Sequence, residues 1–119
     1  MIFEEIAQKI VEEVFGAVGL AIMGRDGIPL TIYLKEGAEL DLETLGVEYA
    51  NLLAQISQAS EKIGSGKLEE LNLLTDQFLV VIRSITPDYF ICLILSPDGN
   101  FGKARYLLRV NLPRLREEL

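Results

Sequence analysis

Few residues in this 119-residue chain have the types and spacing that chemistry requires. Histidine is absent, which removes the commonest general base and zinc ligand. The single cysteine, Cys92, lies inside the apolar run YFICLIL. It has no histidine to activate it and reads as a small core residue; alone, it forms no intrachain disulfide. The segment Gly64-Ser65-Gly66-Lys67 looks at first like a phosphate-binding loop. It fails because the first glycine of the G-x-x-x-x-G-K-[ST] pattern falls on Glu61 and Leu68 replaces the metal-binding hydroxyl. The order of elements is also helix-loop-strand, where the mechanism needs strand-loop-helix. A helix C-cap followed by a turn is the simpler reading. Glu4-Glu5, Glu12-Glu13 and Glu69-Glu70 are adjacent pairs. Neighbours on a helix diverge by about 100° and share no site, so these are solvated faces. Asp98-Gly99-Asn100 lacks the spaced ligands of a calcium loop. Arg25, beside an Asp-Gly turn, has the place of an arginine finger but reads as an ordinary exposed turn arginine. The expectation is a protein without catalytic residues, without a cofactor and without a bound metal.

Composition bounds what remains. The net charge is −7, which argues against nucleic acid as the main partner, since phosphate affinity is chiefly a lysine and arginine effect. Half the residues are hydrophobic and the mean hydropathy is +0.29, yet no run reaches the roughly 18 to 20 apolar residues of a membrane helix. Excess apolar content without a spanning segment points to surface buried against a partner. Glu4, Glu5, Glu12 and Glu13 stand where a signal peptide would be basic, so a cytoplasmic protein is expected. The length suits one domain, residues 1–119.

The element that must organise this chain is the proline-free stretch Asp41 to Gly64, with Asp41 as N-cap and Gly64 as a left-handed C-cap. It carries two adjacent stripes. Leu42, Leu45, Tyr49, Leu52, Ile56, Ala59 and Ile63 recur at alternating spacings of three and four and are expected to seal the core. Gly46, Ala50, Leu53, Ala54, Ser57 and Ser60 are mostly small and are expected to let a second helix approach. Before it, residues 2–15 form an amphipathic helix; Ala17 to Gly24 and Ile28 to Leu34 form a hairpin about Arg25-Asp26-Gly27, with Pro29 marking an edge strand. After it, Leu68 to Thr75, Phe78 to Ile85 and Tyr89 to Ser96 form an antiparallel meander. Asn100 caps a final helix that Pro113 should kink or restart. The simplest assembly is an α+β fold of order α-β-β-α-β-β-β-α, with a five-stranded antiparallel sheet in strand order 2-1-5-4-3. The long helix covers one face. The acidic first helix and the basic last helix lie side by side on the other. The third strand is an edge with no proline to blunt it. A homodimer is therefore expected, through Gly46, Ala50, Leu53, Ala54 and Ser57 on the helix and Leu68, Glu70, Asn72 and Leu74 on the strand.

The element order, GLAIMGRDGIPLTIY, ASEKIGSGKLEELNLLTD and SPDGNFGKARYLLR together resemble the Roadblock/LC7 family, its bacterial MglB-like members in particular. The likeness spans almost the whole chain and rests on residue types and spacings, with no catalytic signature. It implies dimers formed through the long helix and third strand, which serve as platforms for small Ras-like GTPases and stimulate GTP hydrolysis by positioning the GTPase's own residues. By that resemblance the GTPase should dock on the paired long helices, at Glu43, Glu48, Asn51, Gln55, Gln58 and Lys62. A second reading is a small-molecule sensor of PAS, GAF or profilin type, with Gly19, Tyr33, Tyr89 and Phe90 bordering a pocket. An enzyme working through carboxylates alone is a third.

Overall fold

A computed structural model describes residues 2–119. Its elements are α1 (Ile2–Glu13), β1 (Ala17–Gly24), β2 (Pro29–Leu34), α2 (Leu42–Lys62), β3 (Glu70–Leu74), β4 (Leu79–Thr86), β5 (Tyr89–Leu95) and α3 (Phe101–Glu118). The strands pair antiparallel in the order β2-β1-β5-β4-β3, as expected from the two short connections of the meander and the Asp-Gly hairpin. Pro29 opens the edge strand β2, where a missing N–H breaks no ladder bond that the sheet needs.

The sheet separates two cores. On one face α1 contributes Ile6, Ile10 and Val11, and α3 contributes Ala104, Leu108, Leu112 and Leu115, against Leu20, Val81, Ile91 and Leu93. On the other, α2 contributes Leu42, Ala50 and Leu53 against Ala21, Met23, Val80, Ile82, Phe90, Cys92 and Ile94. Central strands covered on both faces must be apolar throughout, which is why β1 and β5 read as continuous hydrophobic runs. The last helix does not restart at Pro113. It stays continuous because buried Leu112 and Leu115 fix the chain on either side of the proline.

Both caps of α2 form as its ends predict. The Asp41 carboxylate accepts from the Thr44 N–H at 3.1 Å and from the Thr44 hydroxyl at 2.7 Å. Gly64 takes φ +70°, and the Ser65 N–H donates back to the Ser60 carbonyl at 2.9 Å.

The two stripes do not divide the work as expected. The residues of α2 that are buried are Leu42 of the large stripe and Gly46, Ala50 and Leu53 of the small one, so most of the contact with the sheet falls to the small stripe. Met23 supplies the reason. Its thioether fills the space under Gly46, and a β-carbon there would overlap it. A backbone that comes this close to β1 has room for only a small residue at that point. The large stripe is rotated to the flank. Leu45 and Tyr49 still pack on the core margin; Leu52 and Ile56 are half-buried and Ile63 is 79% exposed.

Candidate functional site

α2 packs on β1 and β2, at one side of its sheet face. The sheet order places β4 and β3 at the other side, where Leu71, Leu73 and Phe78 are only partly buried. Beyond them β3 pairs with β4 alone, so its outer row of N–H and carbonyl groups has no strand beside it. Leu45, Leu52 and Ile56 on the flank of α2, Leu71 and Leu73 on the α2-side face of β3, and Phe78 between β3 and β4 thus put partly buried apolar residues on one side of the sheet that has an open edge. Strips of this kind occur where a second surface covers them.

The residues predicted for a dimer interface divide accordingly. Gly46, Ala50 and Leu53 are buried against this chain's own sheet and cannot meet another molecule; this corrects the sequence expectation. Ala54 is exposed and Ser57 half-buried. On the edge strand, Leu68 packs at the margin of the α2-side core, whereas Glu70, Asn72 and Leu74 alternate onto the opposite face. Leu74 is 69% exposed. Glu70 is held by Arg105 of α3, which donates to it twice, at 2.9 and 2.7 Å, and the guanidinium holds the carboxyl below its usual range. The basic face of α3 thus pairs with β3, although α1 and α3 do lie side by side. Of the strip residues, Leu52 and Ile56 are legible in the large-residue stripe, which spacing alone turns toward the core, whereas Leu71, Leu73 and Phe78 lie in and beside β3 and carry no such signal.

Of the residues predicted to hold a GTPase, Glu48, Asn51, Gln55, Gln58 and Lys62 are exposed and recur at three and four residues, so they make one polar line along the outward face of α2. Glu43 is exposed in the first turn and lies off that line.

Arg25 is not the exposed turn residue its neighbourhood suggests. Its guanidinium is half-buried between α2 and β4, donating to the Ser84 hydroxyl at 2.8 Å and, at the outer limit of a hydrogen bond, to that of Ser57 at 3.5 Å. Burial lowers its pKa, opposed by the charge of Asp88. Its Nε has no partner. Such an inward arginine is unsuited to reach a partner's phosphate as a finger.

The residues proposed to border a sensor pocket do not converge. Phe90 is fully buried in the α2-side core, while Tyr33 and Tyr89 pack on the opposite core. At Gly19 a side chain would strike Leu34. None of the four lines either of the concavities of about 420 and 290 Å³. Among the described residues no three histidine, cysteine or acidic side chains are grouped as a metal site. No helix is long and apolar enough to cross a membrane.

No protein-family model matches the sequence, and no curated protein matches it. Among solved structures, MglC from Myxococcus xanthus is 44% identical, with all of both chains covered and a TM-score of 0.71. The gliding protein MglB from Thermus thermophilus is 18% identical over 98% of this chain and 89% of its own, with a TM-score of 0.85. A Roadblock/LC7 domain from Streptomyces avermitilis is 12% identical over 96% of this chain and 94% of its own, at 0.84. The last two show the fold; the identity to MglC along the full length shows kinship as well, and the chain belongs to the Roadblock/LC7 family, among its MglB and MglC relatives.

Proposed function

We propose that this chain is a cytoplasmic, non-catalytic homodimeric scaffold that holds a small Ras-like GTPase and modulates its GTP hydrolysis by positioning the GTPase's own residues. The observation that supports the reading best is the apolar strip along Leu52, Ile56, Leu71, Leu73 and Phe78 beside the unpaired edge of β3. A second copy related by a twofold axis would cover both at once, helix flank against helix flank and strand edge against strand edge. The same assembly would set two polar lines of α2, each with Glu48, Asn51, Gln55, Gln58 and Lys62, on one outer surface. That surface is polar and adaptable, suited to a partner that must leave when its nucleotide changes. The resemblance to regulators of Ras-like switches suggests the kind of partner, a small Ras-like GTPase.

The test mixes the purified chain with the small GTPases of its own organism, loaded with GDP or with a non-hydrolysable GTP analogue. The mass of any complex is read by light scattering and hydrolysis by phosphate release. A complex in one nucleotide state, a changed hydrolysis rate, and loss of both in Gln55→Arg/Gln58→Arg are expected. Neither complex nor rate change with any of those GTPases would overturn the GTPase part of the reading.

A further inference from the structure

At the corner where β3 begins, the sheet has a notch. Pairing of the two strands ends at Glu70 opposite Arg83, followed by the Ser84 N–H donating to the Glu69 carbonyl at 2.9 Å. β4 then runs on to Thr86 without a neighbour on that side. The space left, about 420 Å³, is lined by the cations Arg25, Lys67, Arg83 and Arg116 and by the carboxylates Glu61 and Glu69. Cations outnumber carboxylates here in a chain whose net charge is −7.

Those cations are short of partners. Among the described residues the one ion pair is Arg105 with Glu70, so no carboxylate lies within ion-pair distance of any of the four. The Arg25 guanidinium donates only to the hydroxyls of Ser57 and Ser84, and Arg116 donates its Nε to the Ile85 carbonyl at 2.7 Å, which leaves its terminal nitrogens free to turn into the notch. The Nε atoms of Arg25 and Arg83 are buried without an acceptor. Arg25 and Arg83 are half-buried while Lys67 and Arg116 are exposed; Asp88 acts on Arg25 only from beyond ion-pair distance, and a half-buried guanidinium without an ion pair favours an anion brought to it.

We infer that this notch binds a small oxyanion of the phosphoryl class. The donors approach from the β1–β2 hairpin, α2, the Lys67 segment, β4 and α3, and hydroxyls stand beside guanidinium forks. Such a set suits the three or more acceptor oxygens of a phosphoryl group better than the two of a carboxylate. The volume exceeds one phosphate and takes a pyrophosphate or a phosphorylated small molecule. On α2 the notch draws on Ser57 and Glu61, and on none of the five residues of the polar line.

The test is an amide NMR titration of the full chain with sodium pyrophosphate, repeated with sodium chloride at matched ionic strength and with citrate. Saturable shifts are expected in the amides of residues 67–69 and 84–86 and in the Arg25 Nε–H, with pyrophosphate only. Lys67→Glu, a change on an exposed side chain, should weaken binding by roughly tenfold, the size of one charge-assisted hydrogen bond, and leave the unfolding midpoint unchanged. Arg25→Gln should abolish saturation. Four results would overturn the inference: shifts that follow ionic strength whatever the salt, citrate binding as tightly as pyrophosphate, Lys67→Glu and Arg25→Gln chains that bind like the parent, or shifts centred on the part of α3 away from Arg116.

Discussion

Gly46 of α2 rests on the thioether of Met23 in β1, with no space between them for a methyl group. This contact sets how near the helix lies to the sheet and which of its stripes turns inward. Because Met23 is itself fully buried, its side chain has little room to withdraw. Gly46→Val should therefore destabilise the chain by about 1–3 kcal/mol through overpacking. Adding Met23→Ala to the same chain should recover part of the loss, with a coupling of about 0.5–3 kcal/mol in a double-mutant cycle read by urea unfolding.

Arg105 and Glu70 tie α3 to the edge strand. The arginine keeps the Glu70 carboxyl low, so its folded-state pKa is depressed relative to the unfolded chain. The stability this gives is present above the ordinary carboxylate range and is lost as pH falls through the folded value. Arg105 is exposed, so the effect is small and screened by salt. Urea midpoints of Arg105→Ala should lie slightly below those of the parent at pH 7, and the gap should close at pH 2–3 and in 1 M salt. A gap unchanged by acid would remove Glu70 from the account.

Cys92 is fully buried between β1 and β4 in the middle strand, and desolvation pushes its thiol up to about 12. A thiolate is the reactive form, so the native chain should not react with a disulfide reagent at pH 8. In 6 M guanidinium one equivalent should react at once. Fast reaction of the native chain would mean that the sheet opens locally, which its burial forbids.

The open edge of β3 makes a local prediction. If another strand lies against it in solution, those amide hydrogens of β3 that point away from β4 should exchange with solvent slowly. In Leu52→Asp/Ile56→Asp, which leaves both cores intact, they should exchange as fast as loop amides while β1 and β5 stay protected. Slow exchange at β3 in that variant would show that the edge is shielded within one chain.

The order of elements and the sheet order were legible because each rests on local signals: Asp26-Gly27 in the hairpin, Pro29 at an edge, two short turns in the meander, Asp41 and Gly64 at the ends of α2. The facing of α2 was not. Two stripes with the same spacing lie side by side, and spacing alone does not say which meets the sheet. That choice is made by Met23, distant in sequence and pressed against Gly46. Arg25 was misjudged for a similar reason: its hydroxyl partners, Ser57 and Ser84, come from α2 and β4, and only the fold brings them to the hairpin. The polar line of α2 is readable since it needs only helical periodicity, whereas the notch at the start of β3 joins five segments and leaves no sequence signature.

The central claim is that the apolar strip from Leu52 to Phe78 is covered by a second copy of this chain. Sedimentation equilibrium at micromolar concentration tests it most directly. The account predicts twice the chain mass of 13.3 kDa for the parent, and 13.3 kDa for Leu52→Asp/Ile56→Asp with its helix and sheet content unchanged. A parent chain that sediments at 13.3 kDa at every concentration would contradict it.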